Sequence, residues 1–270
     1  MKIKIFCTSI KYLKVIDKLP KYINPIGLGI SKFPDHWLDE KKGTNISNLN
    51  KHYGELTGLY WIWKNILPDM NDEDIIGNCH YRKLWLNNLY FKKIKISFSS
   101  LNSNLFKPNN HNFKDIDCAQ IQPIIFQKKN LIEDFMNIHK TDILIKCADF
   151  LKEENKELYL KHLRQNKLYP LNMFITKVKF FKEYCEEIFP WLEKSFNLCI
   201  KKNLCVDYNM RLPAFLAERF TSFWFSKFSR RVALSYARLG NIYLSNQLNN
   251  IINPLKLPFT FTGYPTIHKY

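Results

Sequence analysis

Residues 75–85, IIGNCHYRKLW, decide the fold, because an apolar run ends there in a group of polar side chains. The letters IIG are typical of a buried strand, and His80, Tyr81 and Arg82 stand where that strand should end. An imidazole, a phenol and a guanidinium thus stand together at the tip of an apolar strand.

The segments before this strand predict another strand and a helix. KIKIFCTSI, residues 2–10, alternates in polarity and predicts a first strand in the centre of the sheet. In NISNLNKHYGELTGLYWIWKNIL, residues 45–67, apolar side chains recur at helical spacing, and Asn45 or Ser47 caps the first turn. With the strand at 75–82, these segments predict a right-handed βαβ unit, with a site at the carboxyl ends of its strands.

The rest of the chain continues the alternation of strands and helices. Residues 115–126 predict a strand, 130–166 a long charged helix, and 168–198 a short strand followed by an amphipathic helix. Residues 211–230 predict an aromatic helix, and 257–270 predict an extended tail.

The composition narrows the class of protein. Apolar residues make up 46% of the chain and no linker divides it, so we predict one domain, residues 1–270. The formal net charge of +17 favours anionic partners: nucleic acid, anionic lipid headgroups or phosphorylated small molecules. The alternative is that this charge is mostly solvated lysine.

Cysteine usage and hydropathy bear on the location. The seven cysteines form no CxxC pair, so neither a metal site nor a disulfide framework is indicated. The sequence has no signal-peptide pattern and no apolar run near the roughly 18 residues that span a bilayer. We therefore predict a cytoplasmic protein, either soluble or peripheral at the inner membrane face.

The strand end is the first candidate site. Arg82 could bind a diphosphate as a bidentate fork and His80 could donate a hydrogen bond to it, which would replace a metal ion. In the alternative interpretation, Tyr81 is buried, and the two cationic side chains satisfy backbone carbonyls.

Two polar residues in apolar surroundings are further candidates. Glu55 either pairs with Lys51 on a solvated helix face or faces a pocket, where it could hold a ribose or sugar hydroxyl. Asn172 lies in LYPLNMFI, residues 168–175, and a buried amide must find hydrogen-bond partners. It either ties two loops together or binds a sugar.

Glu218 is the candidate general base. Its surroundings in the predicted helix at 211–230 are apolar, which disfavours an ionised carboxylate unless Arg211 or Arg219 pairs with it. A pocket carboxylate with a cationic neighbour can take a proton from a hydroxyl. The alternative is a structural Glu–Arg pair.

Asp115 and Asp117 have the spacing of a metal-binding carboxylate pair. They precede their strand, whereas such pairs normally follow one, so we predict a turn. The sequence contains no phosphate loop, zinc-protease motif or nucleophile signature.

Taken in order, these motifs resemble a family of glycosyltransferases from capsular and exopolysaccharide biosynthesis loci, catalogued as a domain of unknown function. The resemblance rests on the Glu-Leu-Thr-aromatic helix, the His-Tyr-Arg strand end, the Asn-Met-Phe segment and the late Glu-Arg pair. It covers nearly the whole chain. Lys83 departs from the family pattern, in which a second arginine is usual.

The resemblance implies a single-domain α/β nucleotide-sugar transferase fold (GT-A-like), with a central, mostly parallel sheet flanked by helices. It implies transfer of a sugar from a nucleotide-diphosphate donor to a growing capsular or surface polysaccharide. Together with the residue types, it assigns Glu218 to catalysis. Donor binding is assigned to His80, Tyr81, Arg82, Asn45, Glu55 and Asn172, and acceptor binding to Arg211 and Arg219.

Under this hypothesis the cationic strand end makes a cofactor unnecessary; Mn²⁺ or Mg²⁺ is the alternative. The partners are a nucleotide sugar, a lipid-linked or oligosaccharide acceptor and, in the peripheral case, an anionic membrane surface. One rival is a nucleic-acid-binding protein, although the lysines are scattered and no nucleic-acid motif occurs. The other is an inert assembly protein, which would bind no nucleotide diphosphate.

Overall fold

The structure is a computed structural model in which most of the chain is described. The described residues are 1–87, 95–96, 103, 105–109, 113–234, 236–238 and 259–261. Of the tail predicted at 257–270, only the strand Phe259–Phe261 lies among them.

Four parallel strands form one half of the central sheet: β1 (Ile3–Ser9), β2 (Ile23–Gly27), β3 (Leu38–Asp39) and β4 (Ile75–His80). β1 lies between β2 and β4, and β3 lies outside β2. The first strand is therefore an interior strand, as predicted, and it is the direct parallel neighbour of the strand that ends at His80.

The other half of the sheet contains one reversed strand. β10 (Phe174–Lys177) runs antiparallel between β4 and β7 (Cys118–Ile121), and β11 (Arg231–Leu234) runs parallel to β7. The order β3-β2-β1-β4-β10-β7-β11 is thus parallel except at β10. This confirms the prediction of a central, mostly parallel sheet.

Short strands extend the sheet beyond β4. β5 (Lys83–Trp85) turns back on β4 so that His80 pairs with Lys83. Antiparallel pairing continues this extension through β12 (Tyr236–Arg238), β13 (Phe259–Phe261) and β6 (Lys95–Ile96). A separate small sheet pairs β8 (Ile124–Ile125) with β9 (Lys167–Leu168).

The helical region predicted at 45–67 is divided in two. It forms α1 (Asn50–Tyr53) and α2 (Leu56–Asn65), separated by Gly54 at φ +57° and ψ −131°. Residues with a side chain rarely adopt this backbone conformation, so the glycine is what allows the chain to change direction here.

The prediction of one long helix at 130–166 is wrong. The segment forms three helices: α3 (Leu131–His139), α4 (Ile143–Lys146) and α5 (Glu153–Leu163). α3 ends at Lys140, whose left-handed φ of 55° closes the helix, and charged residues with helical propensity do not reveal such a turn. The later predicted helices are present as α6 (Val178–Lys201) and α7 (Leu212–Trp224).

Both faces of the sheet are buried. Because successive strand residues point to opposite faces, Phe6, Ile76 and Phe174 pack on the side that carries α2, α6 and α7. Ile5 and Ile175 pack in a second cluster on the other side. Among the helices of the described residues, none combines the length and the apolar character needed to cross a bilayer.

Two buried histidines make the stability of the fold sensitive to pH. Burial lowers the pKa of His139 and of His162 from 6.5 to about 4. Both are therefore neutral in the folded state at pH values where the unfolded chain binds protons. The free energy of unfolding should be fully retained above pH 6.5 and fall towards pH 4, by up to ~1.4 kcal/mol per pH unit for each histidine.

Urea unfolding between pH 7 and pH 4 measures this slope. His162→Gln keeps a hydrogen-bonding group beside the Ser222 hydroxyl, 3.2 Å from Nε2, but does not titrate. In this variant the free energy of unfolding should fall less steeply towards pH 4, because one of the two titrating histidines is absent. An unchanged slope would contradict the prediction.

Candidate functional site

The candidate site lies at the carboxyl edge of the parallel strands. Ser9, Gly27 and His80 end β1, β2 and β4 at this edge, as the register of the three strands requires. β10 runs the opposite way, so residues 170–173, which precede it, reach the same edge. Carboxyl ends of strands are where α/β proteins commonly bind ligands.

The turn between β4 and β5 places cations at this edge. Tyr81 donates its backbone N–H to the carbonyl of Thr8 at 2.9 Å, which holds the turn to β1. Arg82 is exposed, and its guanidinium lies 5.1 Å from the centre of the Tyr81 ring. Within the described residues no carboxylate forms an ion pair with Arg82, so its charge faces solvent.

Asn172 connects three elements of the site. Its buried amide donates to Oε1 of Glu55 at 2.9 Å and accepts the hydroxyl of Thr221, also at 2.9 Å. Leu171 and Asn172 both have left-handed backbones, with φ of 79° and 47°. Such a conformation is costly for leucine and persists only where surrounding bonds hold it in place.

Asn78 is a site-positioning residue that the sequence analysis missed. Its buried side chain donates to the carbonyl of Asn172 at 2.7 Å and accepts the N–H of Phe174 at 3.0 Å. Both bonds fasten the segment before β10 to β4. The signal was present in the sequence, since an asparagine inside an apolar strand must find partners.

The His80 side chain forms a hydrogen bond with the backbone of another segment of the protein. Its Nε2 lies 2.9 Å from the carbonyl oxygen of Leu171, and because a carbonyl only accepts, Nε2 carries the proton and donates. Burial lowers the pKa of His80 below its ordinary value more than the neighbouring Glu55 carboxylate raises it. The neutral imidazole is therefore favoured, and His80 acts here as a clamp on Leu171.

Glu55 faces the site and not the solvent. Its Oε2 lies 3.2 Å from Nη2 of Arg211, and its side chain is 11% exposed. Burial by itself raises the pKa of the Glu55 carboxyl, but the charge of Arg211 and the hydrogen bond from Asn172 help to hold it below its ordinary value. Glu55 thus pairs with Arg211 and not with Lys51, and its role in holding a ribose or sugar hydroxyl stays a prediction.

Gly54 makes room for this ion pair. A Cβ at position 54 would collide with the guanidinium of Arg211, and the backbone there has a φ of +57°. We expect Gly54→Ala to lower the free energy of unfolding by about 1–3 kcal/mol, because it adds backbone strain and displaces Arg211 from Glu55. Thermal or urea unfolding measures the loss.

A double variant separates the two causes of this loss. Arg211→Ala removes the colliding side chain but leaves the backbone strain at residue 54. The Gly54→Ala change should therefore cost less in the Arg211→Ala background than in the unchanged protein. Equal stability of Gly54→Ala and the unchanged protein would contradict the prediction.

Glu218 has partners on both carboxylate oxygens. Oε1 accepts the N–H of Leu171 at 2.6 Å, and Oε2 accepts from Nη1 of Arg219 at 2.8 Å. The Nη2 of Arg219 also bonds Oδ2 of Asp134 at 3.0 Å, and Lys129 pairs with the other oxygen of Asp134. The sequence did not single out Asp134, because no pattern in its helix distinguishes this buried carboxylate from acidic residues at the surface.

The structure brings most of the predicted site residues together. Glu55, His80, Asn172, Arg211 and Glu218 are joined through contacts with one another or with Leu171. Arg219 lies behind Glu218, and Tyr81 and Arg82 form the adjacent turn.

Asn45 lies apart from this cluster. Its Oδ1 accepts the N–H of Ser47 at 3.2 Å, and its amide donates to the carbonyls of Lys41 and Gly43. Asn45 thus holds together the loop before α1, and its assignment to donor binding stays a prediction.

The residues at the strand end do not fit a divalent metal. Mg²⁺ and Mn²⁺ prefer carboxylate and carbonyl oxygens, whereas β4 ends in an imidazole, a phenol and a guanidinium. Asp117 is paired with Arg230 at 2.7 Å and lies in the turn predicted before β7. In the part of the chain that is described, no three His, Cys, Asp or Glu side chains form a group able to hold a metal ion.

The strand order, with one reversed strand and a polar cluster at the carboxyl edge, defines a mixed α/β fold with a central, mostly parallel sheet flanked by helices. A solved apo structure of the WbbM bifunctional glycosyltransferase is similar, with a TM-score of 0.69 and 18% sequence identity. The match covers 89% of this chain and 46% of that one, so the chain spans less than half the length of that protein. At this identity the likeness concerns the fold alone.

Residues 4–230 match the family described as a domain of unknown function, DUF4422, and the chain belongs to that family. A comparison with curated proteins gave no match.

Proposed function

We propose that the chain is a glycosyltransferase of the hexosyltransferase type. It moves a sugar from a nucleotide-diphosphate donor to a growing capsular or surface polysaccharide. The observation that carries this proposal is the joining of Glu55, His80, Asn172, Arg211 and Glu218 at the carboxyl edge of a GT-A-like sheet. The similarity to the fold of a glycosyltransferase supports it.

Arg82 is the proposed diphosphate ligand. It lies at the turn that follows β4, it is exposed, and no described carboxylate neutralises it. A guanidinium binds phosphate oxygens through two parallel N–H donors, which makes it a suitable substitute for a metal ion. His80 holds the segment around Leu171 in position, so the direct charge comes from arginine more than from histidine.

The acceptor side of the proposed site is formed by α7 and the turn before it. Glu218 is the proposed general base for the acceptor hydroxyl, and Arg219 pairs with it. Arg211 is half-exposed and pairs with Glu55, so it can meet an acceptor from the solvent side. The acceptor is a lipid-linked or free oligosaccharide, and the positive net charge would favour the inner membrane face.

We expect Arg82→Ala to weaken nucleotide-diphosphate binding by about tenfold or more, since a charge-assisted hydrogen bond is worth about 1.5–3 kcal/mol. Its exposure predicts an unchanged melting temperature without ligand. A thermal-shift titration with UDP- and GDP-sugars measures both quantities, because a ligand of the native state raises its stability. Arg164→Ala, which removes an exposed arginine after α5, is the matched control.

The same titration in EDTA and in Mn²⁺ tests the proposed independence from metal. Donor binding and turnover should survive EDTA, because Arg82 supplies the charge. Turnover that disappears in EDTA and returns with Mn²⁺ would contradict this part of the proposal. The absence of a shift with any nucleotide sugar would favour the inert assembly protein.

A further inference from the structure

Tyr208 is an exposed aromatic residue beside the proposed site. Its exposed fraction is 56%, although it is a large ring. It belongs to the short 3₁₀ helix Asp207–Arg211, which also supplies the arginine that pairs with Glu55. Only two residues separate Tyr208 from Arg211.

Neighbouring side chains hold the ring in place. The Tyr208 ring stacks on His139 at a centroid distance of 5.8 Å and on Phe215 at 5.5 Å, with interplanar angles of 18° and 20°. Asn209, the next residue, accepts from Nδ1 of His139 at 2.7 Å and donates to the carbonyl of the same histidine at 3.1 Å. The ring is therefore preorganised and not a mobile surface side chain.

The other end of the turn is held as well. His52 on α1 donates from Nδ1 to the carbonyl of Met210 at 2.8 Å. The φ of Asp207 is +46°, a left-handed conformation that aspartate adopts more readily than most residues. The turn that carries the exposed Tyr208 ring is therefore held at both ends.

Through its neighbours, the Tyr208 ring is connected to both carboxylates of the site, Glu218 and Glu55. Its stacking partner Phe215 precedes Glu218 by three residues on α7, so the two lie on the same face of the helix. Arg211, at the end of the turn, bonds Glu55. The exposed ring is therefore attached to the acceptor side of the cluster, and the donor-side turn at Arg82 lies on a different element.

We propose that Tyr208 is the platform on which a sugar ring of the acceptor stacks; this rests on the proposed function. The apolar C–H face of a hexose can cover the exposed part of the ring. A rigid tyrosine provides contact area at a low cost in conformational entropy, as it does in other recognition surfaces. The ligand class is a neutral hexose of an oligosaccharide chain.

Steady-state kinetics with varied acceptor tests the proposal. Tyr208→Ala should raise the acceptor KM roughly fivefold to tenfold, with kcat and the donor KM near those of the unchanged protein, because it removes binding shared by ground and transition state. Tyr208→Phe keeps the ring and should restore most of the loss. Leu158→Ala, a 57% exposed apolar residue on α5, is the control and should change nothing.

A binding assay without turnover separates this inference from the proposed function. An array of oligosaccharides from bacterial surface polysaccharides is probed with the unchanged protein, Tyr208→Ala and Tyr208→Phe. Loss of sugar binding in the alanine variant alone supports the platform even if no nucleotide sugar is a substrate. Transfer activity with an unaltered acceptor KM in Tyr208→Ala would overturn the platform and leave the proposed function standing.

Vesicles of phosphatidylglycerol and phosphatidylcholine provide a third comparison. If Tyr208→Ala loses binding to the vesicles but keeps its oligosaccharide binding and acceptor KM, Tyr208 contacts the membrane and the proposal is overturned. If the unchanged protein binds no oligosaccharide on the array and Tyr208→Ala has no kinetic effect, the proposal is likewise overturned. Equal vesicle binding by both proteins, with loss of oligosaccharide binding in the variant, supports it.

Discussion

Glu218→Gln is expected to lower the turnover of sugar transfer by about a hundredfold or more, the usual size of a general-base effect. The glutamine keeps an oxygen that can accept the N–H of Leu171, so the left-handed segment before β10 should hold its shape. What the variant loses is the negative charge, the acceptor for Nη1 of Arg219 and the ability to take a proton. Each carboxylate oxygen of Glu218 has a second lone pair, so its bonds to Leu171 and Arg219 leave that ability intact.

The affinity for the nucleotide sugar separates the possible roles of Glu218. A general base acts on the acceptor hydroxyl, so donor binding measured by titration should stay near that of the unchanged protein. Glu186→Gln makes the same change at an exposed position of α6 and should leave turnover unaltered. Full turnover in Glu218→Gln, or a loss of stability in place of turnover, would make Glu218 a structural brace for Leu171 and Arg219.

Asn172→Asp is expected to lower the free energy of unfolding by about 2–4 kcal/mol at neutral pH. The substitution keeps the size of the side chain but replaces a donor with a carboxylate, 2.9 Å from Oε1 of Glu55. Asn172 is 2% exposed, so water cannot screen the repulsion between the two charges. Urea unfolding measures the loss, and Asn137→Asp on the exposed face of α3 is the control.

The loss should depend on pH in a defined direction. The neighbouring Glu55 raises the pKa of the introduced carboxyl in the folded state above its value in the unfolded chain. A group with a raised pKa stabilises the fold below its unfolded pKa, near 4, and loses that contribution as the pH rises through its folded pKa. The difference in stability between the two asparagine variants should therefore shrink towards pH 4. A difference that does not change with pH would contradict the repulsion.

The local chemistry of the site could be predicted from the sequence in part. An apolar strand that ends in His80, Tyr81 and Arg82 indicated a cationic edge, and the structure places these residues there. The sequence left two interpretations open for Glu55: a surface pair with Lys51, or a side chain that faces a pocket. The choice depends on the direction in which the side chain leaves the helix, and the break at Gly54 sets that direction.

Residues that hold other residues in position were harder to identify from the sequence. His80 was predicted either to donate to a diphosphate or to satisfy a backbone carbonyl, and its Nε2 donates to the carbonyl of Leu171. Asn78 was not singled out, although it fastens Asn172 and Phe174 to β4. In both cases the residue type predicted a hydrogen bond, whereas the identity of the partner required the backbone path of residues 170–174.

The sequence by itself determined several of the strands, the polar end of β4 and the apolar faces of the helices, because these follow from spacing within about ten residues. Only the tertiary structure decided which polar groups meet. Asn172 and Glu55 are 117 residues apart, and Arg211 and Glu55 are 156 apart. The reversal of β10 brings residues 170–173 to the same edge as the end of β4. Local periodicity carries no information on the order of strands in a sheet, and that order is what assembles the site.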